Sequence, residues 1–533
     1  VLVQARFRGA IALGLEKLTA HMTGDRPAAQ VPAWTTSWPS RALRRRPAGA
    51  GIGWHTPRPQ RRIGPSSRAY GDPPMASQTT KLAPGQARAP GPTYQEILLR
   101  DASQPPPAFL EYSYEFLGDE DIPYSNYTSR EYAAAEFAKL WPKVWQMACR
   151  EEHIPEPGDY HVYDIGDLSA IVTRTPSGAI KAYVNACMHR ATALKQPGSS
   201  GSCENFRCPF HAWTYDLDGK LIDLPERWDF PHVGDDTHNL RELRVDTWGG
   251  FVFVNFDVNC EPLQDFLGVL PEHFRDFHIE DRYIETHVCK RLPVNWKAAQ
   301  EAFMEAYHVK ETHAGGAMYS EPITTYDVFP PNVNRFIHTV GAPNARMPRQ
   351  PTEDELMAQL WGRRGPADGD IPKVPEGMTA RDVYARIIQQ QLGAKYDQDF
   401  SNYSTAQTLD SIEYFLFPNF FLFPGLSLPM AYRFRPDRTD PDYCYFDLYF
   451  LRPKHPTKAP PPPPEPLNLA IEESYTLAEG LGFLGAVYDQ DTDNMAAQTR
   501  GFKTCAKGGQ TLGNYQEVRA RHLHHRVNDY LKR

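Results

Sequence analysis

Long apolar runs are missing from this chain of 533 residues. No stretch reaches the ~18 apolar residues that a membrane-spanning helix needs. Cysteine is scarce as well. Eight in a chain of this length are too few for a disulfide scaffold, so their spacing is read for metal or redox use. No internal repeat is visible. At 41% hydrophobic and 23% charged residues the composition is that of an ordinary globular protein, which excludes a mainly disordered, collagenous or coiled-coil chain. Basic charge is also short where it would matter. Residues 1–74 carry +9, so the rest of the chain carries −17 against a whole-chain −8. An acidic body lacks the basic face that nucleic-acid binding requires.

Residues 1–74 are rich in Arg, Pro, Gly and Ser, with no sustained helical or strand period. They read as a disordered basic extension upstream of Met75, absent from the mature protein. The rival readings are an organellar transit peptide and a tail for an acidic partner. Residues 75–142 read as a flexible lead-in followed by a helix at 129–141 capped by Ser129. From 160 to 265 short strands alternate with turns, including the hairpin signal Asp216-Leu217-Asp218-Gly219-Lys220. Residues 294–313 read as one helix. Thr352 with Glu355 and Thr379 with Asp382 open two more. The aromatic stretch 411–451 reads as strands, 467–480 as a long helix, and 488–500 as helical again. The second half is therefore α+β with a mostly antiparallel sheet.

Two constellations carry chemistry. Cys187 and His189 form one short pair; after 18 intervening residues Cys208 and His211 form another. Cysteine suits iron or zinc, and mixed Cys/His pairs on two loops suit a [2Fe–2S] centre in which one iron takes both Cys and the other both His. A Cys₂His₂ zinc site is the rival, although it ordinarily groups like with like. The second constellation lies in Asn295–His313. Glu305 and His308 share a helix face. His308 and His313 lie about 140° apart on a regular helix, so they meet one metal only where the helix ends or distorts. Alone, two such histidines more often sit on a surface or a cap.

The stretches Cys187-Met188-His189-Arg190 and Cys208-Pro209-Phe210-His211-Ala212-Trp213 resemble the Rieske iron–sulfur motif. Ala191 stands where Gly is commoner, and the gap is about a residue longer than usual. Asn295-Trp296-Lys297, followed by Glu305, His308 and His313, resembles the mononuclear-iron segment of Rieske non-haem iron oxygenase α-subunits, the aromatic-ring-hydroxylating family. The resemblance covers roughly residues 110–510 and implies two domains: an all-β Rieske domain at 143–265 and a helix-grip (START-like) catalytic domain at 266–533. It implies a [2Fe–2S] cluster on Cys187, His189, Cys208 and His211, and Fe(II) on His308, His313 and a downstream carboxylate. Aligning Asp493-Asn494-Met495 with the family's segment puts that carboxylate at Asp491, with Asp489 and Asp493 as rivals. Glu305 stands where Asp is usual and would bridge His308 to a Rieske histidine. Electrons from NAD(P)H would arrive through a separate reductase, with or without a ferredoxin. The family's electron transfer runs between subunits, which implies at least a homotrimer, with or without a β-subunit, in the bacterial cytoplasm. Phe303 occupies a substrate-facing position. Ala302 and Val487 are small where larger residues are common, which implies a roomy apolar pocket for an aromatic or polycyclic substrate; Tyr414 to Phe423 read first as sheet core and second as further lining of that pocket. The motifs are shared by dioxygenases, monooxygenases and O- or N-demethylases, so the resemblance implies O₂-dependent oxidation without fixing the product.

Overall fold

The computed structural model describes residues 82–89, 91–234, 236–313, 323–343, 349–364 and 370–533. The expectations for residues 1–74 lie outside these. The lead-in is only partly as expected, because apolar side chains anchor it. Tyr94, Ile97, Leu98 and Phe109 are buried, Thr93 and Glu96 form a capping box, and the Arg335 guanidinium donates to the Ala108 carbonyl. Ser129 caps the helix Arg130–Lys139 through the Tyr132 N–H, as expected.

Short strands then build a small β region. Ile180–Val184, Leu168–Arg174, Asp159–Ile165 and Ser200–Ser202 form one antiparallel sheet. The hairpin Thr214–Tyr215 to Leu221–Asp223 turns at Asp216–Lys220, where the backbone N–H of Asp216 donates to the Lys220 carbonyl. These layers enclose a core of their own: Val162, Ile171, Tyr183, Phe206, Trp213 and Tyr215 surround Cys187 and Cys208. A third sheet, Arg244–Trp248, Phe251–Asn255 and Gln146–Arg150, lies against the large domain. There Phe251 and Phe253 meet the edge of Phe420, and Arg433 donates to the carbonyls of Met147 and Ala148.

The large domain is organised by an eight-stranded sheet. Its order is Thr324–Phe329, Val333–His338, Ser411–Leu416, Phe420–Phe423, Met430–Pro436, Cys444–Pro453, Arg282–Leu292 and Leu467–Leu469. Every neighbouring pair is antiparallel except the last. Thr352 and Thr379 cap the helices Glu353–Arg364 and Ala380–Tyr396, as their spacing predicts. The helix expected over 467–480 is absent. Leu467–Leu469 instead pairs parallel with Val288–Lys290, and two 3₁₀ turns follow at Tyr475–Leu477 and Glu479–Leu481. Gly480 leaves no room for a Cβ against Thr286, and Gly482 takes a positive φ. The long C-terminal helix is Val518–Lys532. Its Arg519 reaches Asn334 and Glu413 in the sheet.

Candidate metal centres

The two Cys/His loops have the same backbone plan. In one, the Cys187 N–H donates to the Thr192 carbonyl and the Ala191 N–H to the Cys187 carbonyl. In the other, the Cys208 N–H donates to Trp213 and the Ala212 N–H to Cys208. Ala191 and Ala212 both take positive φ, 59° and 62°, which is why the first position favours glycine. The loops bring the four side chains together. Both cysteines are buried, the rings of His189 and His211 lie 4.6 Å apart, and His189 stacks on Trp213. The Tyr215 hydroxyl accepts the Met188 N–H at 3.0 Å and lies 3.3 Å from Cys187 Sγ. Burial pushes the Cys187 thiol up despite that hydroxyl, so a thiolate here needs a cationic partner. His189 Nδ1 is buried with no hydrogen-bond partner. Two sulfurs and two imidazoles, one with an unspent buried nitrogen, fit an iron–sulfur cluster.

The second set forms where the expected helix 294–313 breaks. Trp296–Glu301 is helical with Asn295 as N-cap; residues 302–308 are not, and only Val309–Thr312 resumes. Side chains take the hydrogen bonds the helix would have used. Glu305 accepts from the Tyr307 and His308 N–H groups, the Tyr326 hydroxyl accepts from the Ala306 N–H, and Arg519 donates to the Met304 carbonyl. His308 and His313 therefore flank a single turn, as its N-cap and C-cap. The break removes the 140° mismatch.

Three ligand atoms converge there. Asp491 Oδ1 lies 2.9 Å from His313 Nε2 and 3.4 Å from His308 Nε2. This oxygen is buried, and ligand atoms of all three side chains lie within 4.8 Å of one another, close enough to share one metal ion. Each imidazole is held from behind: His308 Nδ1 is 2.6 Å from Glu305 Oε1, and His313 Nδ1 is 2.7 Å from Gln490 Oε1. Metal-binding histidines are oriented in this way. Burial alone would lower the His308 pKa, but Asp491 and Glu305 raise it to about 10. Asp491 is held below the usual carboxylate range despite its burial. The group favours positive charge, and two imidazoles with one carboxylate fit a facial triad.

Of the rival acids, Asp489 accepts from the Ser474 hydroxyl and the Tyr475 N–H, and Asp493 is exposed. Gln490 had no signal in the sequence beyond adjacency to Asp491. Another group, His278, Glu280 and Asp281, could also approach a cation, but all three are exposed and water competes for each. Phe303 sits in an aromatic nest with Tyr432, Phe434, Phe446 and Tyr488, 5.3–6.4 Å between ring centroids. Ala302 and Val487 are half-buried. Tyr414 and Phe420 to Phe423 are buried core. Glu305 faces no Rieske histidine of its own chain in any hydrogen bond among the described residues.

The Rieske [2Fe-2S] domain model matches residues 144–233, and the model for the ring hydroxylating alpha subunit catalytic domain matches 272–533. The large oxygenase component of salicylate 5-hydroxylase from Ralstonia sp is 32% identical over 205 residues, 36% of this chain and 48% of that protein. The large subunit of anthranilate 1,2-dioxygenase from Burkholderia cepacia is 30% identical over 239 residues, 41% of this chain and 54% of that protein. The chain thus spans about half the length of the curated relatives it matches. The quaternary ammonium Rieske monooxygenase CntA, in complex with L-carnitine, shares the fold with a TM-score of 0.54 at 17% identity, covering 77% of this chain and 95% of that one. With both domain models matched in order, this chain belongs to the Rieske-type ring-hydroxylating oxygenase α-subunit family.

Proposed function

We propose that the chain is the terminal oxygenase of a multicomponent system, which uses O₂ and electrons from NAD(P)H to hydroxylate an apolar, aromatic or polycyclic substrate. The convergence of His308, His313 and Asp491 carries this reading, in a chain that also holds the Cys187, His189, Cys208 and His211 set. Residues 143–265 serve as the electron-receiving domain and 266–533 as the catalytic one. Bound at the triad, Fe(II) supplies O₂ activation. The chain's own residues prepare the site: Glu305 and Gln490 fix the imidazole orientations, and Asp491 supplies the anionic ligand. Glu305 also offers a carboxylate beside His308 through which a proton can move as an electron arrives. The electrons come from a separate reductase, directly or through a ferredoxin, and a homotrimer juxtaposes the two centres of neighbouring subunits. An aromatic substrate accords with the salicylate and anthranilate named for the two relatives and with the apolar surroundings of Phe303.

Anaerobic purification tests the reading. The protein should hold about three irons and two acid-labile sulfides per chain. Asp491→Ala should keep the cluster spectrum and lose the third iron, whereas Asp489→Ala should keep all three. Two irons per chain with no O₂ uptake under any reductant would reject an oxygenase. Turnover confined to a small quaternary amine would reject the aromatic substrate.

A further inference from the structure

The break that brings the triad together is held from outside, and Arg519 is the buried side chain that ties it to the sheet. Arg519 lies on the helix Val518–Lys532 and is 0% exposed. Its Nη1 donates to the Met304 carbonyl at 3.1 Å and its Nε to Asn334 Oδ1 at 2.6 Å; its Nη2 lies 2.6 Å from Glu413 Oε1. Asn334 and Glu413 belong to the neighbouring strands Val333–His338 and Ser411–Leu416. The guanidinium also lies 4.9 Å from the Phe336 ring centroid. A buried carbonyl outside a helix needs a donor. A planar fork can serve a carbonyl, an amide and a carboxylate at once in fixed directions, which an ammonium cannot.

Met304 sits where that tie matters. The helix Trp296–Glu301 loosens at its end, with the Phe303 N–H donating to Gln300 and the Met304 N–H to Glu301, and the next residue is Glu305. Beyond Glu305, the Tyr326 hydroxyl accepts from the Ala306 N–H. Arg519 and Tyr326 thus bracket Glu305, whose Oε1 is 2.6 Å from His308 Nδ1. The C-terminal helix also grips the end of Trp296–Glu301, for His524 Nε2 is 2.7 Å from Glu301 Oε1. Without Arg519 the Met304–Glu305 peptide is free to rotate and to carry the Glu305 carboxylate with it. Resting on the reading of the triad as a mononuclear-iron site, we propose that Arg519 is a positioning residue: through the Met304 carbonyl it sets Glu305, and through Glu305 the direction of the His308 ligand.

Anaerobic Fe(II) titration of the full-length, cluster-loaded protein tests this role, with the electron paramagnetic resonance spectrum of the ferrous site under nitric oxide as second readout. Arg519→Lys keeps the charge and loses the fork. Arg519→Met combined with Glu413→Leu removes both buried charges and strands neither. Each variant should bind the third iron about tenfold more weakly and shift the rhombicity of the nitrosyl signal, with the cluster's spectrum unchanged. Arg526→Met is the control. Arg526 lies on the same helix but pairs with Asp529 and Asn332, so its loss should lower stability in urea and leave iron affinity at the wild-type level. If Arg519→Lys does not fold, the double variant carries the test. Wild-type iron affinity with an unchanged nitrosyl signal in the folded Arg519 variants, or an equal loss of affinity in Arg526→Met, would overturn the proposal. A wild-type protein that takes up no third iron would instead reject the oxygenase reading, and this proposal with it.

Discussion

Removing the acceptor behind His313 should weaken the mononuclear site without touching the cluster. Gln490 Oε1 accepts a hydrogen bond from His313 Nδ1 at 2.7 Å, which leaves Nε2 bare, 2.9 Å from Asp491 Oδ1. Gln490→Leu keeps the side-chain volume and deletes the acceptor. Loss of such an orienting partner typically costs 10–100-fold in metal affinity. Gln490 is exposed, so water can partly replace it. The low end applies, about 10-fold or ~1.4 kcal/mol. Glu305 presents the contrast. Its side chain is 12% exposed and charged, and it holds His308 at 2.6 Å. Glu305→Ala should therefore reach the upper end, about 100-fold or ~2.7 kcal/mol. The assay is anaerobic Fe(II) titration against a chelator, with the cluster's visible spectrum as internal control. Wild-type affinity in Gln490→Leu, or a larger loss there than in Glu305→Ala, would refute the idea that these two side chains orient the ligands.

Three further outcomes are expected. Glu136→Ala should destabilise the fold by about 3–5 kcal/mol in urea unfolding, because it strands Lys297, which is 0% exposed and 2.6 Å from that carboxylate; a loss under ~1 kcal/mol would mean the cation finds another partner. Tyr215→Phe should lower the cluster's reduction potential, since it deletes a hydroxyl beside Cys187 Sγ; redox titration showing an unchanged or raised potential would count against that bond. Burial holds His522 neutral, with its pKa lowered to about 3, and Asn334 donates to its Nδ1. The unfolded chain binds this proton near pH 6.5 and the folded one does not, so the group's stabilising share is present above 6.5 and shrinks as pH falls toward 3. Between pH 6.5 and 5 that share should fall by about 1.6 kcal/mol. The stability gap between wild type and His522→Gln should close accordingly on acidification, and a gap independent of pH would contradict the assignment.

Features encoded within a few residues were legible in the chain alone. Cys187-x-His189 and Cys208-x-x-His211 sit on loops because each pair's spacing is a loop's reach. Ser129, Thr352 and Thr379 cap helices because a hydroxyl two or three residues ahead satisfies a free N–H. The aromatic-rich runs of 411–451 form strands because bulky aromatic side chains suit a pleated sheet. Tertiary structure decided the rest. The 294–313 segment has helical sequence, yet it breaks because Tyr326 and Arg519, from distant elements, take its backbone groups, and Glu305 folds back on its own turn. Leu467–Leu469 became a strand because Val288–Lys290 offered an open edge. Gln490 and Asp491 meet His313 across some 177 residues. Spacing can place a ligand on a turn, but whether two turns face one point depends on what packs behind them.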